Sequence, residues 1–176
     1  VKGGGTLVLT YLSGIVDRLL VMAREIEEGG PAQVDLREAM DRAVARWNER
    51  AGDRDSTVVS RGDGGSARVD PTDLDQILDN LLDNATAYAP GEVTIESGGL
   101  NGRLFVAVQD QGPGIASDDL ARVTERFYRG RGAPSGGSGL GLAIARQLAE
   151  KWGGTLSVES IGGEGTRVEV RLDAAP

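Results

Sequence analysis

Asp110-Gln111-Gly112-Pro113-Gly114 and Gly137-Ser138-Gly139-Leu140-Gly141-Leu142 are the two stretches around which the sequence is organised. Between them lie a charged segment predicted to be helical, the triplet Phe127-Tyr128-Arg129 and a run rich in Gly, Pro and Ser. Glycine permits positive φ angles and a close approach of the backbone to another group. Two glycine clusters on either side of such a segment predict a pocket for an anionic ligand under a movable cover.

Composition narrows the classes of function. The 176 residues are 39% hydrophobic and 26% charged, which fits a single folded domain of ordinary size. A net charge of −8 makes nucleic acid or an anionic membrane surface an unexpected partner. The chain has no cysteine and no histidine, which excludes disulfides, a thiolate nucleophile and the commonest general base. With no apolar run of about 18 residues and no signal peptide, we expect a cytoplasmic location without direct membrane insertion.

The amino-terminal part of the chain has its own pattern. Residues 6–28 carry apolar side chains at heptad spacing, which predicts a helix that ends at Gly29-Gly30-Pro31. Such a helix packs either on its own domain or in a dimer with another chain. We expect one unit over residues 1–31 and a second over residues 32–176.

Working outward from the glycine clusters, hydrophobic periodicity and capping residues predict an alternation of helices and strands. Hairpins dominate the second half, so the expected fold is α+β. It is a two-layer α/β sandwich in which about three helices cover a mostly antiparallel sheet. The predicted elements are strands at 33–36, 57–60, 92–97, 103–109, 155–161 and 166–172, and helices at 36–51, 71–89 and 139–152, with Asp35 and Asp70 as helix caps.

Asn80 and Asn84 stand four residues apart in the second of these helices, so both project from one face. That face either is simply solvated or presents an amide oxygen to Mg²⁺, which prefers oxygen ligands. Tyr88 lies one further turn along and offers a flat surface to a nucleobase.

Asp110 ends a strand and precedes two glycines. The pattern fits an ordinary Asp-Gly turn. It also fits a carboxylate that accepts a hydrogen bond from the exocyclic amine of adenine, while Gly112 and Gly114 let the backbone approach the ring.

Gly137–Gly141 precedes a helix, and it is either a flexible loop or a phosphate site built from free backbone amides. It is not a P-loop, because the only lysines are Lys2 and Lys151. Neither glycine cluster completes a dinucleotide fingerprint.

Taken together and in this order, the motifs resemble the ATP-binding catalytic domain of bacterial sensor histidine kinases. This domain belongs to the superfamily that includes the Hsp90, gyrase and MutL ATPases and has the Bergerat-type fold. The resemblance covers roughly residues 33–172, and residues 15–29 are similar to the end of a dimerisation helix. The matching stretches are Asn80–Ala85 (N box), Asp110–Gly114 (G1), Glu125–Arg129 (F box), Gly137–Leu142 (G2) and Gly163–Thr166 (last glycine box).

At the phosphates, the resemblance implies that Asn84 coordinates Mg²⁺ and that Asn80 orients the reacting group. It also implies that Arg129 reaches the phosphates, with Arg126 or Arg131 as further candidates.

At the base, the resemblance implies that Tyr88 and Ile115 pack on adenine, that Asp110 accepts from its amine and that Thr166 supports that carboxylate. Residues 116–136 would form the ATP lid, anchored by Phe127. The remaining positions implied to bind nucleotide are Gly112, Gly114, Gly137, Ser138, Gly139, Leu140, Gly141 and Leu142.

The sequence departs from the family pattern in three ways. Ala87 stands where the family often has a lysine near the phosphates, and the lid is a few residues short. The chain also lacks the phosphoacceptor histidine. The expected reaction is therefore transfer of the γ-phosphoryl of Mg-ATP to a histidine on a separate or missing dimerisation or phosphotransfer domain, with a response regulator downstream. The alternatives are a weak ATPase and a nucleotide-binding regulatory module, although Asn80, unlike a glutamate, cannot accept a proton from water.

Overall fold

The computed structural model describes residues 30–51, 56–130 and 137–176. The helix predicted for residues 6–28 lies outside them, so its role and the domain boundary stay predictions. The described elements are β1 (Ala32–Asp35), α1 (Leu36–Ala51), β2 (Ser56–Arg61), β3 (Ser66–Val69), α2 (Pro71–Tyr88), β4 (Gly91–Leu100), β5 (Arg103–Gln109), α3 (Ser117–Leu120), α4 (Gly141–Lys151), β6 (Thr155–Ile161) and β7 (Gly165–Asp173).

The main sheet has five strands in the order β2-β4-β5-β7-β6. Only the β2–β4 pair is parallel, and the other neighbouring strands are antiparallel. One face of β7 buries Val168, Val170 and Leu172, because side chains of a strand alternate between its two faces. Helices α1, α2 and α4 pack with this apolar face to form the core. The structure confirms the predicted α+β sandwich.

Helix α2 carries the predicted polar face, and both of its ends are fixed. Asp70 caps its first turn by accepting hydrogen bonds from the amides of Thr72 and Asp73. The buried Asp73 carboxylate in turn accepts from Lys151 Nζ at 2.8 Å and from Trp152 Nε1 at 2.7 Å. These bonds join the start of α2 to the end of α4. The two helices that border the site are therefore held together at the end remote from it.

Three local predictions differ from the structure. Residues 66–69, for which no strand was predicted, form β3, which pairs with β1 in a second, two-stranded sheet. The turn predicted over residues 98–102 shrinks to Asn101-Gly102, because β4 runs to Leu100. The charged segment before Phe127 is helical only over Ser117–Leu120 and continues as turns. Four-residue elements carry too few periods for a sequence pattern to identify them.

Candidate functional site

A cleft of about 210 Å³ opens between α2, the segment that follows β5, the residues around Tyr128 and the start of α4. Elements distant in sequence meet there because α2 and α4 are packed neighbours and both border the ends of β5 and β7. The lining residues are Asn80, Asp83, Asn84, Ala87, Tyr88, Asp110, Pro113, Gly114, Ile115, Ala116, Asp119, Val123, Tyr128, Arg129, Gly130, Gly137, Ser138, Gly139, Gly141, Leu142 and Thr166.

Asp110 is at the inner end of the cleft and is only 4% exposed. Its Oδ1 atom accepts hydrogen bonds from the amides of Gly112 at 2.8 Å and Thr166 at 3.2 Å. Its Oδ2 atom has no hydrogen-bond partner within the described ranges. Burial raises the pKa of Asp110, and the two amides oppose that rise only in part. The carboxylate therefore has one oxygen fixed by the backbone and one available to a ligand.

The last glycine box shapes the same end of the cleft. Gly165 has a φ of +110°, and a Cβ atom there would overlap the carbonyl group of Asp110. The Asp110 amide donates to the Thr166 carbonyl at 2.9 Å, which continues the β5–β7 pairing past the end of β5. Glycine at position 165 is thus required for β7 to come close enough to hold the Asp110 carboxylate.

Along α2, Asn80 and Asn84 both line the cleft one turn apart, as their spacing predicts. Asn80 donates from Nδ2 to the Gln76 carbonyl at 2.9 Å, so its amide orientation is fixed. The Oδ1 atom of Asn80 lies beside Gly141, where a Cβ atom would be 3.4 Å from it. The amide oxygen of Asn80 therefore faces the start of α4.

Tyr88 lines the outer part of the cleft and is 39% exposed. Burial raises the pKa of its hydroxyl, and the positive charge of Arg129 opposes that rise. This coupling places the Arg129 guanidinium near Tyr88, on the rim that Ala87 also lines. Within the described part of the chain, Arg129 is the only basic side chain that lines the cleft.

The segment that follows α3 is held to the rest of the cleft by side-chain and backbone bonds. Tyr128 donates from its hydroxyl to the buried Asp119 carboxylate at 2.6 Å, and the Arg122 guanidinium lies 4.3 Å from the centre of the Tyr128 ring. The Phe127 amide donates to the Gly139 carbonyl at 2.9 Å. Phe127 has a φ of +64°, and its backbone packs so closely on Gly139 that a side chain at 139 would overlap it.

The cleft brings together thirteen of the residues that the sequence predicted as nucleotide-binding. They are Asn80, Asn84, Tyr88, Asp110, Gly114, Ile115, Arg129, Gly137, Ser138, Gly139, Gly141, Leu142 and Thr166.

Four predicted residues that the structure describes do not line it. Gly112 acts through its amide on Asp110, and Leu140 is buried in the core. Arg126 is exposed and donates to Gln147 of α4 at 2.6 Å, so in this arrangement it points to a helix surface and not to the phosphate end. Phe127 is 64% exposed, so Tyr128 rather than the Phe127 side chain anchors the segment. Arg131 lies outside the described residues.

Sequence reasoning missed the role of Asp119 and of Tyr128. Tyr128 was visible as part of the F-box match, but its hydroxyl partner nine positions earlier was not, because the intervening turns have no regular period. Asp83 and Val123 also line the cleft and were not predicted as site residues.

Over the described ranges, none of the helices has the length and apolar character needed to cross a membrane. In the same ranges, His, Cys, Asp and Glu nowhere gather in groups of three or more that could hold a metal ion.

The family model described as histidine kinase-, DNA gyrase B- and HSP90-like ATPase matches residues 69–176. The sensor histidine kinase YkoH of Bacillus subtilis (strain 168) is 34% identical over 167 residues, covering 92% of this chain and 37% of that protein. The sensor protein ChvG of Rhizobium meliloti (strain 1021) is 40% identical over 116 residues, covering 58% of this chain and 20% of that protein. The chain thus spans well under half the length of these curated relatives.

Solved structures agree with these relatives. The mycobacterial sensor histidine kinase MprB has a TM-score of 0.70 at 33% identity, covering 83% of this chain and 99% of that one. Full-length ShkA, solved in complex with AMPPNP, has a TM-score of 0.75 at 25% identity, covering 99% of this chain and 40% of that one. By its matched residues and its fold, the chain belongs to the histidine kinase-, DNA gyrase B- and HSP90-like ATPase family, as an ATP-binding catalytic domain of the sensor histidine kinase type.

Proposed function

We propose that the cleft binds Mg-ATP and that the γ-phosphoryl group passes to a histidine outside this sequence. That histidine belongs to a dimerisation or phosphotransfer domain, either on a separate protein or on a further segment of the same one. A response regulator then receives the phosphoryl group, as in two-component signalling. The observation that carries the proposal is the buried Asp110 carboxylate, which has one oxygen held by backbone amides and the other facing the cleft.

At the base end, an ionised carboxylate can only accept hydrogen bonds. Asp110 therefore favours a ring that presents an amine, as adenine does, over one that presents a carbonyl group. Ile115 and the half-exposed Tyr88 line the cleft near this carboxylate and offer apolar surface to the faces of the ring.

At the phosphate end, the start of α4 supplies backbone amides. Leu140 is its N-cap residue and makes no side-chain capping bond, so the first amides of α4 stay available to an anion. Arg129 adds one positive charge on the opposite rim. Asp83 and Asp119 add negative charge to the same cleft, so amides and a single arginine leave much of a triphosphate's charge to be met otherwise.

Magnesium fits this donor set. Asn84 presents an amide oxygen in the cleft, and no cage of three acidic residues surrounds it in the described ranges. Mg²⁺ prefers oxygen ligands and keeps several waters, so one amide together with phosphate oxygens and water suffices. When bound, the ion neutralises phosphate charge and polarises the phosphoryl group.

The residues of the cleft favour transfer to a protein acceptor over hydrolysis. The Asn80 oxygen is oriented by the Gln76 carbonyl and faces the start of α4. A neutral amide positions a group but cannot take a proton from water. The chain therefore contributes positioning and charge stabilisation, and the acceptor histidine has to come from outside, because the sequence contains none.

The test is to incubate the chain with labelled Mg-ATP, alone and with a histidine-bearing dimerisation domain from a sensor kinase. We expect acid-labile label on the added domain and little free phosphate from the chain alone. Arg126→Ala should leave both results unchanged, because this exposed arginine bonds to Gln147 and does not line the cleft. Free phosphate from the chain alone would indicate an ATPase, and binding without either product would indicate a regulatory module.

A further inference from the structure

Ser160 is the penultimate residue of β6 and does not line the cleft, yet its hydroxyl contacts three groups, two of which belong to residues that line it. The Ile115 amide donates to Ser160 Oγ at 2.8 Å, and Ser160 Oγ donates to the Gly165 carbonyl at 2.8 Å. Thr166 Oγ1 lies 3.0 Å from the same oxygen. The Ser160 hydroxyl thus links the segment after β5 to the start of β7.

The hydrogen-bonding capacity of Ser160 indicates which of the two hydroxyls, that of Ser160 or that of Thr166, donates to the other. A serine hydroxyl has one proton and two lone pairs. If the proton goes to the Gly165 carbonyl, the lone pairs take the Ile115 amide and the Thr166 hydroxyl, and every hydrogen-bonding capacity of Ser160 is used. The reverse assignment leaves the Gly165 carbonyl without this donor, which is unfavourable at a buried position. We therefore assign the hydroxyl proton of Thr166 to its bond with Ser160.

A hydroxyl that has given its proton away can only accept from a ligand. Thr166 lines the cleft next to Asp110, whose ionised carboxylate also only accepts. The base end of the cleft then presents two acceptors and no side-chain donor from this pair. Such an edge accommodates the amine of adenine, or a water that donates, and disfavours a carbonyl group at the same position of the ring.

We propose that Ser160 is a positioning residue for base selection: by taking the proton of Thr166 it keeps the base end of the cleft acceptor-only. The same Ser160 oxygen also accepts from the Ile115 amide, which fixes the apolar wall for the ring. This inference rests on the proposed binding of Mg-ATP and adds a residue that determines which purine is accepted.

The test compares the dissociation constants of Mg-ATP and Mg-ITP by calorimetry, because inosine replaces the adenine amine by a carbonyl group. Ser160→Ala frees the Thr166 proton to donate to that carbonyl. We expect the preference for ATP over ITP to fall by about threefold to tenfold, the size of one neutral hydrogen bond. Loss of the Ile115 bond weakens both nucleotides alike, so the ratio isolates the effect of the proton.

A double variant separates this role from a purely structural one. Ser160→Ala combined with Thr166→Val removes the freed hydroxyl, so the preference for ATP should return towards its original ratio. Ser157→Ala is the matched control, because this serine is on the same strand and exposed. Ser160→Cys keeps the shape with a poor hydrogen-bonding group and serves if the alanine variant does not fold.

An unchanged ATP-to-ITP ratio in Ser160→Ala and Ser160→Cys, with the wild-type chain binding Mg-ATP, would overturn the inference. So would a double variant with the same reduced preference as Ser160→Ala alone. Failure of the wild-type chain to bind Mg-ATP would instead overturn the proposed function.

Discussion

Two carboxylates associated with neighbouring strands of one sheet are held in opposite ways. Asp110, just after β5, faces the cleft, and burial raises its pKa because only two backbone amides oppose the loss of water. Glu169, in the middle of β7, lies on the opposite face of the sheet. Burial alone would raise the pKa of Glu169, but hydrogen bonds and charges from Arg171 and Arg167 outweigh it and lower the pKa.

The molecule pairs its charges on the outer face of the sheet and leaves one uncompensated in the cleft. Arg167 donates to both Glu96 and Glu169, and Arg171 donates to Glu169 at 2.7 Å, so the outer face of the sheet carries a fully paired ladder. The cleft instead keeps Asp110 without a cation partner among the described residues, which leaves its charge for a ligand. A buried group that is unfavourable for folding is characteristic of a functional site.

The largest expected effect is on ligand binding. Asp110→Ala removes a charged hydrogen bond to the base, so Mg-ATP affinity should fall by about 1.5–3 kcal/mol, or one to two decades. Calorimetry measures this loss. Glu169→Gln is the control and should leave the affinity unchanged. Equal affinities for Asp110→Ala and the wild type would mean that Asp110 does not bind the nucleotide. The two carboxylates would then not differ in their effect on binding.

On the other face of the sheet, the expected effect is on stability. Glu169→Gln removes the charge that Arg167 and Arg171 share, and it should lower the free energy of unfolding by about 1–2 kcal/mol. Urea denaturation at neutral pH measures the change. A variant as stable as the wild type would mean that solvent screens these ion pairs and that they contribute no net stability.

A neutral substitution at Asp110 should change the free energy of unfolding in the opposite direction. The folded pKa of Asp110 is raised, so its contribution to stability is full below the unfolded pKa and is lost as pH rises through the folded pKa. At neutral pH, Asp110→Asn should therefore raise the free energy of unfolding, by up to about 1 kcal/mol, while binding weakens. Thermal melts without nucleotide test this. A destabilised Asp110→Asn would contradict the assignment of Asp110 as a strained, uncompensated group.

For Glu169, stability depends on pH in the opposite direction. Its folded pKa is lowered, so its stabilisation is present above the unfolded pKa and is lost as pH falls through the folded pKa. Acid titration of the unfolding free energy should show this loss in the wild type and a smaller one in Glu169→Gln.

The smallest effect near neutral pH is on the pH profile of binding. The ionised form of Asp110 is the stronger acceptor for the adenine amine, so Mg-ATP affinity should begin to fall at a higher pH than an ordinary aspartate would dictate. Affinity measured from pH 7.5 downwards, at constant ionic strength, gives the midpoint. A flat profile down to the usual aspartate range would argue against the raised pKa.

Much of the fold follows from local patterns. Apolar residues of α2 at helical spacing, the Asp70 cap with Pro71, and the alternation in β7 each predict their element without reference to the rest of the chain. The four-residue spacing of Asn80 and Asn84 also predicts a shared helix face, and both residues line the cleft.

Contacts between residues distant in sequence could not be predicted from local patterns. The direction of Arg126 depends on Gln147, 21 positions later, and β1 pairs with β3 across the intervening α1 and β2. Neither is encoded in a period, because periodicity reports which side of an element is buried and not what covers it.

By itself, the sequence determined the type and order of the elements, the two glycine clusters and the absence of a histidine acceptor. Only the tertiary structure decided that the hydroxyls of Thr166 and Ser160 lie 3.0 Å apart, and that Asp110 keeps one oxygen without a hydrogen-bond partner among the described residues. The physical reason is strand register: Asp110, Ser160 and Thr166 meet because β5 and β6 both pair with β7, and hydrogen-bond direction depends on shifts smaller than a residue.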